Sequence, residues 1–194
     1  VGVKADSLRK ELPRRLFHVS GLLLALVPRV FPGKSAAVFL SLALLETLIE
    51  ILRLKSPVFS RLVGRLFSPL MRPAERRRLS GSFYYLWGVA LSFALFPERC
   101  ALYGLFVLAL ADPVAGVIHV RSTRRFLRKS LEGTLCFFLL TFVILRAGGW
   151  GGETSLAVSL ILALLENLSP LDDNFLLPVA ASFLLFLFGS RAGL

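Results

Sequence analysis

The sequence predicts an all-α fold, a polytopic integral membrane bundle of about seven transmembrane segments plus one interfacial amphipathic helix. Three observations predict it. Of the 194 residues, 56% are hydrophobic and only 18% charged, with a mean hydropathy of +0.74, a balance common in polytopic membrane proteins and rare in soluble domains. The apolar residues fall in seven stretches, about 16–31, 35–52, 82–97, 100–118, 133–147, 155–168 and 175–189, each closed by charge, Pro or Gly. Lys and Arg crowd alternate connections, as the positive-inside rule requires.

The first stretch follows a charged N-terminus and has no small-residue cleavage site, so it reads as a membrane helix and not as a secretory signal. Pro32-Gly33 separates it from the second, and Pro97, Gly148-Gly149 and Pro170 close later ones. Most stretches fall short of the roughly 20 residues that cross a hydrocarbon core. They span if flanking cations snorkel or the bilayer thins, or if broken helices line a cavity. With residues 1–15 inside, segments 1–15, 53–81, 119–132 and 169–174 are cytoplasmic and hold 18 of the 23 Lys and Arg. The expected topology is N-terminus cytoplasmic and C-terminus outside, in the plasma membrane if the cell is prokaryotic.

The loop after the second stretch has its own periodicity. Val58, Phe59, Leu62, Val63, Leu66, Phe67, Leu70 and Met71 share one face, opposite Arg61, Arg65, Ser68 and Arg72. Ser56-Pro57 supplies a cap and a first-turn proline, and Pro69 kinks or ends the helix. It either lies in the membrane interface or packs on the bundle. A net charge of +11 in a soluble protein points to nucleic acid; here topology accounts for it, and no nucleic-acid partner is expected. Cys100 and Cys136 show neither disulfide nor zinc spacing. No stretch is polar enough for a second core, so residues 1–194 read as one membrane-embedded domain of unspecified oligomeric state.

The polar residues inside or beside the apolar stretches gather toward the cytoplasmic side. Arg14, Arg15 and His18 open the first. Glu46, Glu50 and Arg53 share a face of the second, Tyr85 lies near the start of the third, and Asp112 interrupts the fourth. Lys129, Ser130, Glu132 and Gly133 precede the fifth; Glu166, Asp172, Asp173 and Asn174 join the last two. An acid at membrane depth is a functional-site candidate. Asp112 precedes Pro113, which disfavours helical geometry at Asp112, so the helix either breaks there into a cavity or Asp112 pairs with a neighbouring Arg. Asp172, Asp173 and Asn174 are oxygen ligands of the kind Mg²⁺ uses alongside phosphates, or else a cap for the last helix. Glu50 and Arg53 suit an intrahelical pair. Lys129, Ser130 and Gly133 precede a helix N-terminus, which favours phosphate, although topology alone explains the surrounding cations. No Walker A or protein-kinase signature is present.

In order, Arg14-Arg15-x-x-His18-x-x-Gly21, Glu50-x-x-Arg53, Arg72-x-x-Glu75, Ser80-Gly81-x-x-Tyr84-Tyr85-x-x-Gly88, Ala111-Asp112-x-x-Ala115, Lys129-Ser130-x-Glu132-Gly133 and Glu166 with Asp172-Asp173-Asn174-x-x-x-Pro178 resemble the CTP-dependent lipid kinase family. That family includes dolichol kinase, phytol kinase and the yeast-type diacylglycerol kinase, and is related to the phosphatidate cytidylyltransferases. The resemblance runs over about residues 9–182. It implies transfer of the γ-phosphoryl group of CTP to a membrane lipid alcohol, diacylglycerol or a polyprenol, with Mg²⁺ at the cytoplasmic face. It puts the family's basic pair on Arg14 and Arg15, its essential acid on Asp112 and its phosphate-side lysine on Lys129. The chain departs from the pattern at His119-Val120, where the family has Gly-Arg, and at Ala111, where it often has Gly.

On this reading Asp112, Asp173 and Lys129 are catalytic, and Asp112, Asp172 and Asp173 hold the metal. Arg14, Arg15, Arg53, Lys129, Ser130, Glu132, Gly133 and Asn174 bind nucleotide phosphate, supported by His18, Glu50, Tyr85 and Glu166. Two rivals differ in chemistry. A phosphatidate cytidylyltransferase releases pyrophosphate where the kinase releases CDP. A small transporter lined by Glu46, Asp112 and Glu166 has no need to crowd acids and bases on one face.

Overall fold

The computed structural model describes residues 12–189, except 68, 69, 71–74, 76 and 123. The chain is a helical bundle. Helix α1 covers 12–20 and continues through a 3₁₀ segment, Gly21–Leu26, into the short α2, Val27–Val30. Then follow α3 (Ser35–Lys55), α4 (Pro57–Phe67), α5 (Gly81–Leu95), α6 (Glu98–Phe106), a π-helical turn (Val107–Ala111) and α7 (Asp112–Arg121). A hairpin of two-residue strands, β1 (Arg125–Phe126) and β2 (Lys129–Ser130), leads into α8 (Leu131–Ala147), α9 (Gly152–Leu168) and α10 (Asp173–Gly189).

Two helical runs are long and apolar enough to cross a membrane, Ser35–Lys55 and the continuous Glu98–Arg121; Gly81–Leu95 and Asp173–Gly189 are shorter apolar helices. The first apolar stretch is less regular than its hydropathy suggests, because tight 3₁₀ winding replaces an α-helix after Ser20. The hairpin is absent from the sequence reading as well. Its strands are two residues long, too short for alternation to show.

Helix α10 packs between α5, α6 and α9, with α3 outside α5 and α8 bridging α7 and α9. Phe39, Val89, Leu105, Leu108, Phe137, Leu177 and Leu185 fill the centre. A Cβ on Gly88 would lie 2.7 Å from the carbonyl oxygen of Asn174, so this glycine lets α10 approach α5. The outer surface is apolar too. Leu135, Leu139 and Val143 on α8, and Leu156, Leu160, Leu164 and Leu168 on α9, form exposed stripes at intervals of four. Exposed apolar area on that scale marks a surface built for a partner or a membrane.

Helix α4 starts as its signals predict. Ser56 Oγ accepts the Phe59 N–H at 3.3 Å, and the described helix ends at Phe67. Pro69, Met71 and Arg72, at the expected end of that helix and in the next motif, lie outside the described residues.

The expected break at Asp112 does not occur. The helix widens for one turn, the Asp112 N–H bonding to the Val107 carbonyl, and Asp112 itself is helical at φ −62° and ψ −48°. Pro113 therefore falls in the first turn of a fresh α-helical register, where its missing N–H costs little. Single π turns of this kind recur at functional sites.

Candidate functional site

Four elements distant in sequence converge on one polar cleft of about 410 Å³. Helix α1 brings Arg14 and Arg15, α7 brings Asp112, His119 and Val120, the hairpin brings Arg128 and Lys129, and the start of α10 brings Asp172, Asp173 and Asn174. Asp112 and the 172–174 turn thus line the same cavity.

Asp112 is buried, and Arg15 Nη1 donates to its Oδ2 at 3.1 Å, with His18 Nδ1 3.7 Å from the same oxygen. Arg15 reaches it across Gly116, where a Cβ would stand 2.1 Å from the guanidinium carbon. Any side chain there would displace the arginine.

Lys129 forms the second centre. Its Nζ donates to Glu166 Oε1 at 2.6 Å and to Asp173 Oδ2 at 2.9 Å. Burial alone would lower the Lys129 pKa, but Glu166 and Asp173, with Asp112 beyond, raise it above the ordinary lysine value. Asp173, on the turn ahead of the apolar part of α10, is pushed up to about 6: burial outweighs the opposing pull of Lys129, and Asp112 and Glu166 add to the rise. A fixed ammonium beside a carboxyl that gives up its proton near neutrality is a setting for polyanion and cation together.

His119, absent from the sequence-derived site, is central here. The Ser130 N–H donates to His119 Nδ1 at 3.1 Å, which puts the ring proton on Nε2, 3.4 Å from Glu166 Oε1. A Cβ on Gly133 would lie 2.1 Å from His119 Nδ1. The glycine makes room for the ring, and Ser130 caps α8 by accepting the Gly133 N–H at 3.2 Å. The only hint in the sequence was the departure from the family pattern at this position. Asn167 was missed as well; its buried Nδ2 donates to Thr134 Oγ1 at 2.7 Å and ties α9 to α8 beside the site.

Several expected phosphate ligands are engaged elsewhere. Arg53 does not line the polar cleft: its Nε and Nη2 bond both Glu50 oxygens, at 2.8 and 2.6 Å, and it also donates to the carbonyls of Glu75 and Arg78. It clamps the segment after α4, with four of its five N–H donors spent on Glu50 and the two carbonyls, and it faces the neighbouring cavity and not the polar cleft. Ser130 and Gly133 serve the His119 contact and the α8 cap, and the carboxylate of Glu132 accepts the Ser122 hydroxyl. Asp172 Oδ1 accepts the Asn174 N–H at 3.0 Å, so it caps α10 while still bordering the cleft. Glu50 and Tyr85 line a neighbouring cavity.

Among the described residues, no three His, Cys, Asp or Glu side chains cluster to hold a metal on their own. The oxygens of Asp112, Asp173 and Asn174 around one cleft nevertheless suit Mg²⁺, which commonly takes one or two protein carboxylates and completes its shell with substrate phosphates and water.

No family model matches the chain, and no solved structure matches it. Three curated proteins do, each named CTP-dependent diacylglycerol kinase 1. The protein of Schizosaccharomyces pombe is 28% identical over 207 residues, covering 93% of this chain and 94% of its own. Those of Eremothecium gossypii and Saccharomyces cerevisiae are 28% and 27% identical over 208 residues, covering 90% of this chain and 66% and 72% of theirs. The chain is thus similar, over about nine-tenths of its length, to proteins named CTP-dependent diacylglycerol kinase.

Proposed function

We propose that the protein transfers the γ-phosphoryl group of CTP to a membrane lipid alcohol, with diacylglycerol, the substrate in its relatives' names, as the first candidate and a polyprenol as the second. The observation that carries this reading is the convergence of Arg14, Arg15, Asp112, Lys129 and Asp173 on one cleft. Phosphoryl transfer asks a protein for positioning and charge neutralisation more than for covalent chemistry.

Arg14, Arg15 and Lys129 hold the triphosphate as point charges and forked donors. Asp112, Asp173 and Asn174 would hold Mg²⁺ by their oxygens, with Asp172 at the edge, and the ion would supply charge neutralisation for the phosphates. The lipid oxygen forms a bond to the γ-phosphorus while the bond to the β-phosphate oxygen breaks and CDP leaves. The hydroxyl proton passes to Asp112, whose Oδ2 lies 3.7 Å from Nδ1 of His18. Arg15 holds that carboxylate in place, and Glu166 and His119 hold Lys129 and Ser130. Seven membrane segments, a cytoplasmic N-terminus and a site at the cytoplasmic face complete the proposal; the distribution of cations and the exposed apolar stripes support them.

The test incubates purified protein and Mg²⁺ with γ-labelled CTP or ATP and a panel of lipid alcohols. Label in a lipid with release of CDP is expected. Pyrophosphate release would favour the cytidylyltransferase reading instead, and absence of labelled lipid with folded protein would end the kinase proposal.

A further inference from the structure

Beside the polar cleft lies a second cavity of about 300 Å³, bounded by α1, α3, α4 and α5. Most of its wall area is apolar, from Phe17, Ile49, Val63, Phe67, Leu70 and Leu86, while Glu46, Glu50, Arg53, Glu75, Ser80 and Ser82 form a polar stretch of the wall. Val63 is the half-buried inner face of α4, Phe67 borders the cavity while remaining exposed, and Leu62 and Leu66 stay exposed on the outer side. The cavity therefore has an apolar lip that itself presents apolar surface outward, as an interfacial helix does.

Its inner end is polar and abuts the first cleft. Arg14 lines both cavities. His18 lines the second, with Nδ1 3.7 Å from Oδ2 of Asp112, a residue that lines the first. Tyr85 stands edge-on to His18, ring centroids 5.4 Å apart. The Tyr85 side chain is more than nine-tenths buried, and its Oη has no hydrogen-bond partner among the described residues. A buried hydroxyl left unpaired is costly; this one packs against Gly21, where a Cβ would stand 2.0 Å from it, and a ligand hydroxyl that reached it from the cavity would give it a partner. A molecule that fills such a cavity sets apolar chains against Phe17, Ile49, Val63 and Leu86 and a polar head against the charged side of the wall.

We propose that this cavity seats the lipid alcohol, with its hydroxyl between Tyr85 and His18 and facing Asp112, and its chains leaving past α4 into the bilayer. The assignment rests on the kinase reading for the identity of the ligand as an alcohol. The volume suits the polar head and the first part of the chains, and the remainder stays in lipid. The Arg14–His18–Asp112 wall then separates a greasy acceptor from a highly charged donor until the hydroxyl and the γ-phosphate meet across it.

The decisive experiment needs no turnover. The full chain, in phosphatidylcholine nanodiscs without nucleotide, is irradiated with a diacylglycerol carrying a diazirine near the start of its acyl chain, and labelled peptides are mapped. Label on Ile49, Val63, Phe67 or Leu86, displaced by excess unlabelled dioleoylglycerol, is the expected result. Displaceable label confined to other helices, or no displaceable label, would overturn the assignment. In turnover assays Val63→Trp, which fills the cavity, and Tyr85→Phe should each raise the KM for diacylglycerol about tenfold, equivalent to roughly 1.4 kcal/mol, with the KM for CTP within about twofold. Lipid KM values unchanged in both variants would also overturn it. Labelled cavity residues in a protein that transfers no phosphate from CTP would uphold the cavity and sink the kinase reading. Phosphate transfer with label elsewhere would do the reverse.

Discussion

Arg15 donates to Asp112 at 3.1 Å although 97 residues separate them, and this pair joins the N-terminal helix to the centre of the bundle. Both side chains are nearly buried, where removing one partner strands the other's charge. Breaking a buried pair costs about 3–5 kcal/mol. Asp112→Asn keeps the shape and one acceptor oxygen, so the fold should survive while phosphoryl transfer falls about 10²–10³-fold. Near-normal transfer by folded Asp112→Asn protein would remove Asp112 from the mechanism. Arg15→Ala should unfold more easily than the Arg15→Ala/Asp112→Asn double variant, as a thermal melt in detergent would reveal.

Asp173 links pH to stability in a defined direction. Its folded pKa, about 6, lies above its ordinary value of 3.8, so the folded protein binds more protons than the unfolded one between those values. The stabilisation from that bound proton is complete below about 3.8 and lost as pH rises through about 6. At neutral pH the ionised Asp173 is thus a cost to the metal-free fold. Asp173→Asn should raise the metal-free Tm at pH 7.5 by a few degrees, corresponding to about 1–3 kcal/mol, while abolishing the stabilisation that Mg²⁺ and a non-hydrolysable CTP analogue give the parent protein. A lower Tm for Asp173→Asn would contradict the assignment.

Gly133 and His119 should behave as a unit. Gly133→Ala drives a methyl into the imidazole, and overpacking of that kind costs about 1–3 kcal/mol. Adding His119→Ala vacates the space, so the double variant should regain most of the lost Tm. Additive losses would show that the helix start, and not the ring, is what Gly133 protects.

The Arg53 clamp gives the opposite signature from a phosphate ligand. Arg53→Ala strands Glu50 and should destabilise by about 3–5 kcal/mol, whereas Arg53→Ala/Glu50→Ala should lose clearly less. At a temperature where the double variant remains folded, its KM for CTP should match the parent's. A large rise in that constant would return Arg53 to the phosphate site.

Much of this was legible in the sequence because it depends on periodicity and local chemistry. The apolar stretches coincide with α3, α5 through α10 and the α6–α7 run, and the Ser56 cap and Pro57 start of α4 follow from two residues. Of the residues that line the cleft, Asp112 stood out as an acid inside an apolar stretch, Asp173 as part of an acidic turn without cations, and Arg14, Arg15 and Lys129 through the ordered motifs of the resemblance. What stayed hidden depends on tertiary approach. Nothing local distinguishes Arg53, spent on Glu50 and two carbonyls, from an arginine free to take phosphate. His119 looks like a helix-end cation until α8 brings Ser130 and Gly133 against it. The Asp112-Pro113 pair reads as a helix break because the neighbouring-residue rule takes no account of a wider turn just upstream.

That wider turn has a consequence of its own. An α-helix advances about 100° per residue, so one surplus residue within Val107–Ala111 rotates the rest of the helix by about that angle. Asp112, Gly116 and His119 all lie downstream, at intervals that keep them on one side. Straightening the helix by a one-residue deletion would swing this trio together away from Arg15 and Lys129, leaving composition, length and hydropathy almost untouched. The aim of the reactive side chains is thus stored as an angular offset several residues before any of them.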